Sequence, residues 1–212
     1  MGGDGRGDMI TLGLNASPII DGNCDILVKN VLAGASLNGS QAIHYDLNEF
    51  DIIPCQSCGV SPYPAYCFFQ DAMTEIYRIL IEADLVVFGS PIYFDTVSAQ
   101  AKLFIDRCNC LKPAIFPESE EKLSDRVKFG DLGLKRRKGV IVLAGGERQK
   151  FDCASTVVKG FFKWIGIEFV EQIEARNNSL KKGTVNQQPG LLKSAFDLGA
   201  GLAEMIQRNG IK

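Results

Sequence analysis

Thiols at short spacing, and loops that follow apolar runs, are the parts of this chain equipped for chemistry. Cys55-Gln56-Ser57-Cys58 opens a cysteine-bearing stretch that continues to Cys67. Thiolates so spaced can ligate a metal or an iron–sulfur cluster, and a C-x-x-C pair can cycle between dithiol and disulfide. The same pair can be plain packing in a long loop. Cys108 lies on the apolar stripe of a helix, and Cys110 and Cys153 sit in no ligand pattern, so these read as buried structural thiols. The only histidine, His44, falls on the polar side of an alternating strand and reads as solvent-facing, not as a ligand.

Residues 15–24 read Asn-Ala-Ser-Pro-Ile-Ile-Asp-Gly-Asn-Cys and run from a strand into a helix. Backbone N–H groups there, aided by the positive helix end, could hold a phosphate, with Ser17, Asn23 and the turn at Gly22 as the cradle. An ordinary capped turn is the plainer alternative, because no G-x-x-x-x-G-K-[ST] sequence is present. Residues 89–100 bring Tyr93 and Phe94 to the end of another apolar run. An apolar wall with backbone donors along one edge suits a flat heterocycle, although the two rings could also simply plug the end of a sheet. Lys135-Arg136-Arg137-Lys138 is a short basic run and reads as a solvated face.

The elements that must position these residues follow from hydrophobic periodicity. Apolar runs at residues 9–14, 85–88 and 140–143 predict buried strands, while residues 42–47 and 167–173 alternate and predict half-buried ones. Between them lie helical stripes: Leu27, Val28, Val31 and Leu32; Met73, Ile76, Tyr77 and Leu80, with Asp71 as N-cap; Ala101, Phe104, Ile105 and Cys108; Val157, Val158, Phe161 and Phe162; and a last helix over 190–207. Alternation of strand and helix makes an α/β fold with a parallel sheet covered on both faces. Fully apolar strands belong at the centre and alternating ones at the edges, which gives a doubly wound five-stranded sheet of order 2-1-3-4-5. A ligand then binds beyond the carboxyl ends of the strands, at the switch between strands one and three. The loops at 15–24, 90–97 and 144–149 converge there.

Composition narrows the classes of function. A length of 212 residues suits one domain over residues 9–212, with insertions at 48–70 and 112–138. Lys and Arg total 23 against 25 Asp and Glu, a net charge of −2, so no global field draws nucleic acid or an anionic membrane. The apolar runs fall far short of the roughly 20 residues that span a bilayer. Residues 1–8, MGGDGRGD, lack the apolar core of a signal peptide and read as a flexible leader. Seven cysteines at irregular spacing fit reduced thiols, and with them a cytoplasmic location.

Several segments carry a family resemblance: Ser17-Pro18 with Gly22-Asn23, Phe88-Gly89-Ser90-Pro91-Ile92-Tyr93-Phe94, Val97-Ser98-Ala99-Gln100-Ala101-Lys102, Phe104-Ile105-Asp106-Arg107, and Gly145-Gly146-Glu147-Arg148-Gln149. Over about residues 9–175 the chain resembles the NAD(P)H-dependent FMN reductase and iron-sulfur flavoprotein family, of flavodoxin-like fold. The resemblance implies FMN as cofactor, with its phosphate at Ser17, Gly22, Asn23 and Cys24. It implies the isoalloxazine at Pro91, Ile92, Tyr93, Phe94 and Asp95, and its other edge at Gly145 and Gly146. The family usually has a basic residue where this chain has Ile19, and Ser or Thr where it has Cys24. Its iron-sulfur members carry four cysteines where this chain has Cys55, Cys58, Ser61 and Cys67, so a cluster here would need an outside ligand.

The activity implied is transfer of reducing equivalents from NAD(P)H to a small acceptor, a free flavin or a quinone, with flavin N5 carrying the chemistry and no catalytic side chain required. A homodimer or homotetramer is implied too, with the apolar last helix and the Cys-bearing loop as candidate contacts. An electron carrier of flavodoxin or iron-sulfur type and a flavin-free scaffold are the other readings. The small net charge speaks against a carrier that docks by electrostatics.

Overall fold

The computed structural model describes residues 9–58, 66–111, 137–176 and 181–209. The stretch 1–8, Ser61, Lys135 and Arg136, and all but the end of 112–138 lie outside the described residues. Strand β1 (Ile10–Asn15) leads into α1 (Asn23–Leu37) and β2 (Gln41–Asp46), and α2 (Met73–Glu82) leads into β3 (Leu85–Tyr93). A return strand β4 (Thr96–Val97) precedes α3 (Ala99–Arg107), and β5 (Arg137–Gly145), α4 (Asp152–Trp164), β6 (Ile167–Arg176) and α5 (Pro189–Asn209) follow. The main strands run parallel in the order β2-β1-β3-β5-β6. This is the expected 2-1-3-4-5 arrangement. The addition is β4, two residues paired antiparallel to the end of β3 and too short to leave a periodic signal. No helix among the described residues is long and apolar enough to cross a membrane.

Successive residues of a strand point to opposite faces, and both faces here are covered. Leu85 and Val87 of β3 pack with Val28 and Val31 of α1 and Leu202 and Ile206 of α5. Val86 and Phe88 face the other way, among Met73 and Tyr77 of α2, Phe104 of α3 and Phe161 of α4. Helices α1 and α5 meet backbone to backbone: a Cβ on Gly34 would lie 1.9 Å from Phe196 O, and one on Gly199 2.0 Å from Val31 O. The apolar stripe of α5 is thereby covered within the chain, so it is not the spare surface that the sequence offered for subunit contact.

Some element ends differ from the periodic reading. Leu47 leaves β2 for a 3-10 turn, Leu47–Glu49. Helix α2 starts at Met73 with Ala72 in the cap position, although Asp71 Oδ1 still accepts the Met73 N–H at 3.1 Å. Ser98 caps α3, its hydroxyl accepting the Ala101 N–H at 3.2 Å. Cys108 is buried as expected, but just past α3 in the 3-10 turn Cys108–Leu111.

Two arginines, both buried, hold the α2–α3–α4 face together. Arg107 pairs with Asp71 through two guanidinium nitrogens, donates to Ile53 O at 2.7 Å and lies 3.4 Å from Cys67 Sγ. Both ends of the cysteine-bearing segment are thereby stapled to α3. Burial alone would raise Asp71, but hydrogen bonds from Arg107 and the Ile53 N–H hold it below the ordinary carboxylate range. Arg137 opens β5 and is fully buried, which corrects the reading of the basic run as a solvated face. It donates to Leu80 O at 2.9 Å and to Ile165 O, at the carbonyl ends of α2 and α4. Partial negative charge at two helix C-termini makes a buried cation tolerable, although burial still pulls the guanidinium down to about 10. Lys138, next in β5, is half-buried and pairs with Glu168 at 2.7 Å.

Candidate functional site

The carboxyl ends of β1, β3 and β5 open on a pocket of about 450 Å³. The first loop brings Ser17, Ile19, Gly22, Asn23 and Cys24 to it, β3 brings Pro91, Ile92 and Tyr93, and β5 brings Ala144, Gly145 and Gly146 with Gln149 beyond them. Lys181, Lys182 and Gly183, after β6, close the remaining side. Phe94 and Asp95 are not among the lining residues.

The first loop is shaped by a tight turn that ends at Gly22, whose N–H donates to Ile19 O at 3.1 Å. A Cβ on Gly22 would lie 2.8 Å from that oxygen, so the turn excludes larger residues. Gly22 is also the N-cap of α1 and supplies no side-chain acceptor. The first N–H groups of a helix have no partner within it, and here they belong to residues that line the pocket. The Ser17 hydroxyl accepts the Ile19 N–H at 3.1 Å, and Asn15 Oδ1 accepts the Ser17 N–H at 3.2 Å, so both side chains shape the loop. Cys24 is 2% exposed. Burial pushes its thiol up to about 12, with the Asp25 charge adding and a backbone hydrogen bond from Ala144 opposing. It is a neutral thiol despite its place at a helix N-terminus.

Asn23 does something the sequence did not suggest. Its Oδ1 accepts the Val185 N–H at 3.0 Å and its Nδ2 donates to Thr184 Oγ1 at 3.1 Å, fastening the turn after β6 onto α1. That turn carries Lys181 and Lys182 to the pocket, and Lys182 Nζ also lies 3.6 Å from Asp21 Oδ2. The basic charge missing at Ile19 is thus present from another part of the chain. No local signal marks these lysines, because only the packing of residues 181–185 on α1 brings them here.

The wall opposite is the end of β3. Tyr93 pairs with Thr96 across a two-residue turn, with Phe94 and Asp95 both at positive φ, 49° and 60°. Such a primed turn matches the strand twist but strains residues other than glycine, asparagine and aspartate, so the strain falls on Phe94. Phe94 is 99% exposed, and Asp95 Oδ1 accepts the Lys150 N–H at 2.9 Å. Gly145 is required by close approach, since a Cβ would lie 2.7 Å from Gln149 Oε1 and 2.9 Å from Ile92 Cβ. Gln149 accepts the Gly146 N–H at 2.7 Å and donates to Ile92 O at 2.9 Å, locking the β3 and β5 loops together.

The cysteines are dispersed. Cys55 and Cys67 are half-buried and Cys58 is exposed. Cys55 lines a second cavity of about 460 Å³, next to Cys108 and Trp164 and away from the β-strand ends. Cys110 is half-buried and Cys153 is exposed, which corrects the reading of both as buried thiols. His44 is no solvent-facing bystander either: its Nε2 lies 3.0 Å from Oδ1 of the fully buried Asp25. Among the described residues, Asp25, His44 and Asp46 are the group of three whose ligand atoms come within 4.8 Å of one another, and no set of thiols does so.

Comparison with known proteins identifies the family. The sequence model of the NADPH-dependent FMN reductase family matches residues 9–173. The chain belongs to that family. As an FMN reductase family member it is 33% identical over 104 residues to an iron-sulfur flavoprotein of Methanocaldococcus jannaschii, covering 49% of this chain and 54% of that protein. It is 31% identical over 109 residues to the FMN-dependent NADH:quinone oxidoreductase of Methylocella silvestris, covering 50% and 53%. The matches span about half the length of these curated relatives. Among solved structures, the NAD(P)H:quinone oxidoreductase of Methanothermobacter marburgensis superposes with a TM-score of 0.64 at 15% identity, over 92% of this chain and 98% of that one. That likeness shows a shared flavodoxin-like fold.

Proposed function

We propose that the protein binds FMN at the carboxyl edge of its sheet and uses it to pass reducing equivalents from NAD(P)H to a small acceptor such as a free flavin or a quinone. The observation that carries this is the composition of the pocket along its length. One end has a helix N-terminus without a side-chain cap and two lysines, which suits a phosphate. The other has Pro91, Ile92 and Tyr93 facing the glycine-bearing loop at Gly145 and Gly146, which suits a flat ring system. The volume lies within the usual range for a small-molecule site, about 300–1,000 Å³.

In this reading residues 22–24 and Lys181 and Lys182 hold the phosphate, and Gly145 and Gly146 leave backbone open to the ring. Gln149 keeps the two ring-side loops in register. Bound FMN would supply hydride acceptance from the nicotinamide and release of electrons to the acceptor. The chain binds, orients and partly shields the cofactor, and no side chain is assigned as acid or base. Phe94, fully exposed next to the pocket-lining Tyr93, is where a second copy of the chain would cover apolar surface, in keeping with a homodimer or homotetramer. An iron–sulfur cluster is not part of the reading, since Ser61 stands in the third ligand place.

The test is the visible spectrum of protein purified without air, then mixed with NADPH. A two-banded flavin absorbance that bleaches and returns with air is expected, together with NADPH-dependent reduction of added quinone or FMN. Protein that stays colourless after incubation with FMN would overturn the reading, and a broad brown absorbance with bound iron and sulfide would move it to the cluster-bearing electron carriers.

A further inference from the structure

A second group of ionisable side chains lies behind the first loop and takes no part in the pocket. Asp25 comes from the first turn of α1, and His44 and Asp46 come from the carboxyl half of the edge strand β2. Asp25 is fully buried. Its Oδ2 is engaged, accepting the Asp21 N–H at 2.7 Å and Lys29 Nζ at 2.7 Å. Its Oδ1 has no hydrogen bond, and neither does the buried Nε2 of His44, although the two atoms are 3.0 Å apart. An imidazolium that merely neutralised Asp25 would direct its N–H along that line. Close approach without such alignment is what two ligands make when both face a third position.

Asp46 completes the set. One ligand atom from each of Asp25, His44 and Asp46 lies within 4.8 Å of the others, and Asp46 Oδ1 accepts Asn15 Nδ2 at 2.5 Å. His44 and Asp46 keep side-chain exposures of 21% and 12%, which leaves a path for an ion and for water ligands. We infer that Asp25, His44 and Asp46 form a binding site for a divalent transition-metal ion at the β2 edge of the sheet. One imidazole and two carboxylates suit ions of the manganese, iron and zinc class better than calcium or copper(I). Lys29 is the competing cation, but it occupies the other oxygen of Asp25 and is 44% exposed, free to remain there or withdraw. Through Asn15, which holds both Asp46 and the Ser17 N–H, the ion would brace the loop in front of it.

The site does not depend on the flavin reading, and its test needs no turnover. Mn²⁺ is the probe, because it prefers oxygen and nitrogen ligands and leaves the thiols aside. Chelator-treated full-length protein is titrated with Mn²⁺ and followed by loss of the free-ion paramagnetic resonance signal, with pulsed measurements for nitrogen coupling. One saturable ion per chain with imidazole ¹⁴N coupling is expected. His44→Gln, at a partly exposed edge position, should weaken binding at least about tenfold and abolish the coupling, and Asp25→Asn should do the same if it folds. Absence of saturable binding in the wild type overturns the site, as does binding that His44→Gln leaves unchanged, the result expected if Mn²⁺ sat on a flavin phosphate instead.

Discussion

Lys181 and Lys182 are 88 or more residues along the chain from the pocket residues of the first loop and β3, yet they bring the pocket its positive side chains. Exposed cations contribute about 1 kcal/mol or less each to an ionic contact, so Lys181→Ala or Lys182→Ala should weaken FMN binding about fivefold. The double variant should lose more, and the difference from wild type should shrink as salt rises. Fluorescence titration of FMN at low and high ionic strength reads both. Cys24 makes a different demand. With its folded-state thiol pushed up to about 12 from 9.0, the folded protein holds that proton while the unfolded chain gives it up. The stability so supplied is complete below about pH 9 and is lost as pH rises toward 12. Iodoacetamide near pH 8 should therefore label the exposed Cys58 and Cys153 and leave Cys24 unmodified, as peptide mapping would show.

At the scale of elements, the buried pair Arg107–Asp71 decides whether the cysteine-bearing segment stays on α3. Removing one partner of a buried ion pair leaves the other unpaired, so Arg107→Ala should cost about 3–5 kcal/mol in urea unfolding. Asp71, held below its unfolded value, contributes stability that is present above about pH 4 and lost as pH falls through its folded value. That acid sensitivity should be diminished in Arg107→Ala. The α1–α5 crossing is equally specific. Gly199→Ala places a methyl against Val31 O, where the helix backbones have no room to give. A loss of about 1–3 kcal/mol is expected from overpacking, whereas Gly201→Ala, with open space around it, should be close to neutral or stabilising. Thermal melts of the two variants separate the effects.

Across the molecule, the sheet order was legible because the burial of a strand on one or both faces writes itself into local periodicity. Val86 and Phe88 against Leu85 and Val87 is that record. The first loop and the ends of β3 and β5 followed from the sheet order and from the family resemblance. What stayed hidden depends on contacts between distant segments. Arg137 reads as surface by residue type and is buried because two helix C-termini happen to face it. His44 reads as outward by alternation and meets Asp25 because α1 lies against that edge. Lys181 and Lys182 follow an undistinguished stretch and acquire meaning only through Asn23.

The fastening of residues 184 and 185 to Asn23 has a consequence for the order of events in the cell. A growing chain emerges from its N-terminus, so the loop at 15–24 and the ends of β3 and β5 are made before β6 and the lysines that follow it. The helix that follows them, α5, covers α1 only once residues 189–209 have also been made. In the proposed reading, a nascent chain that stops short of residue 181 would have the surface for a ring but not the lysines for its phosphate, so cofactor capture would wait for residues 181–185.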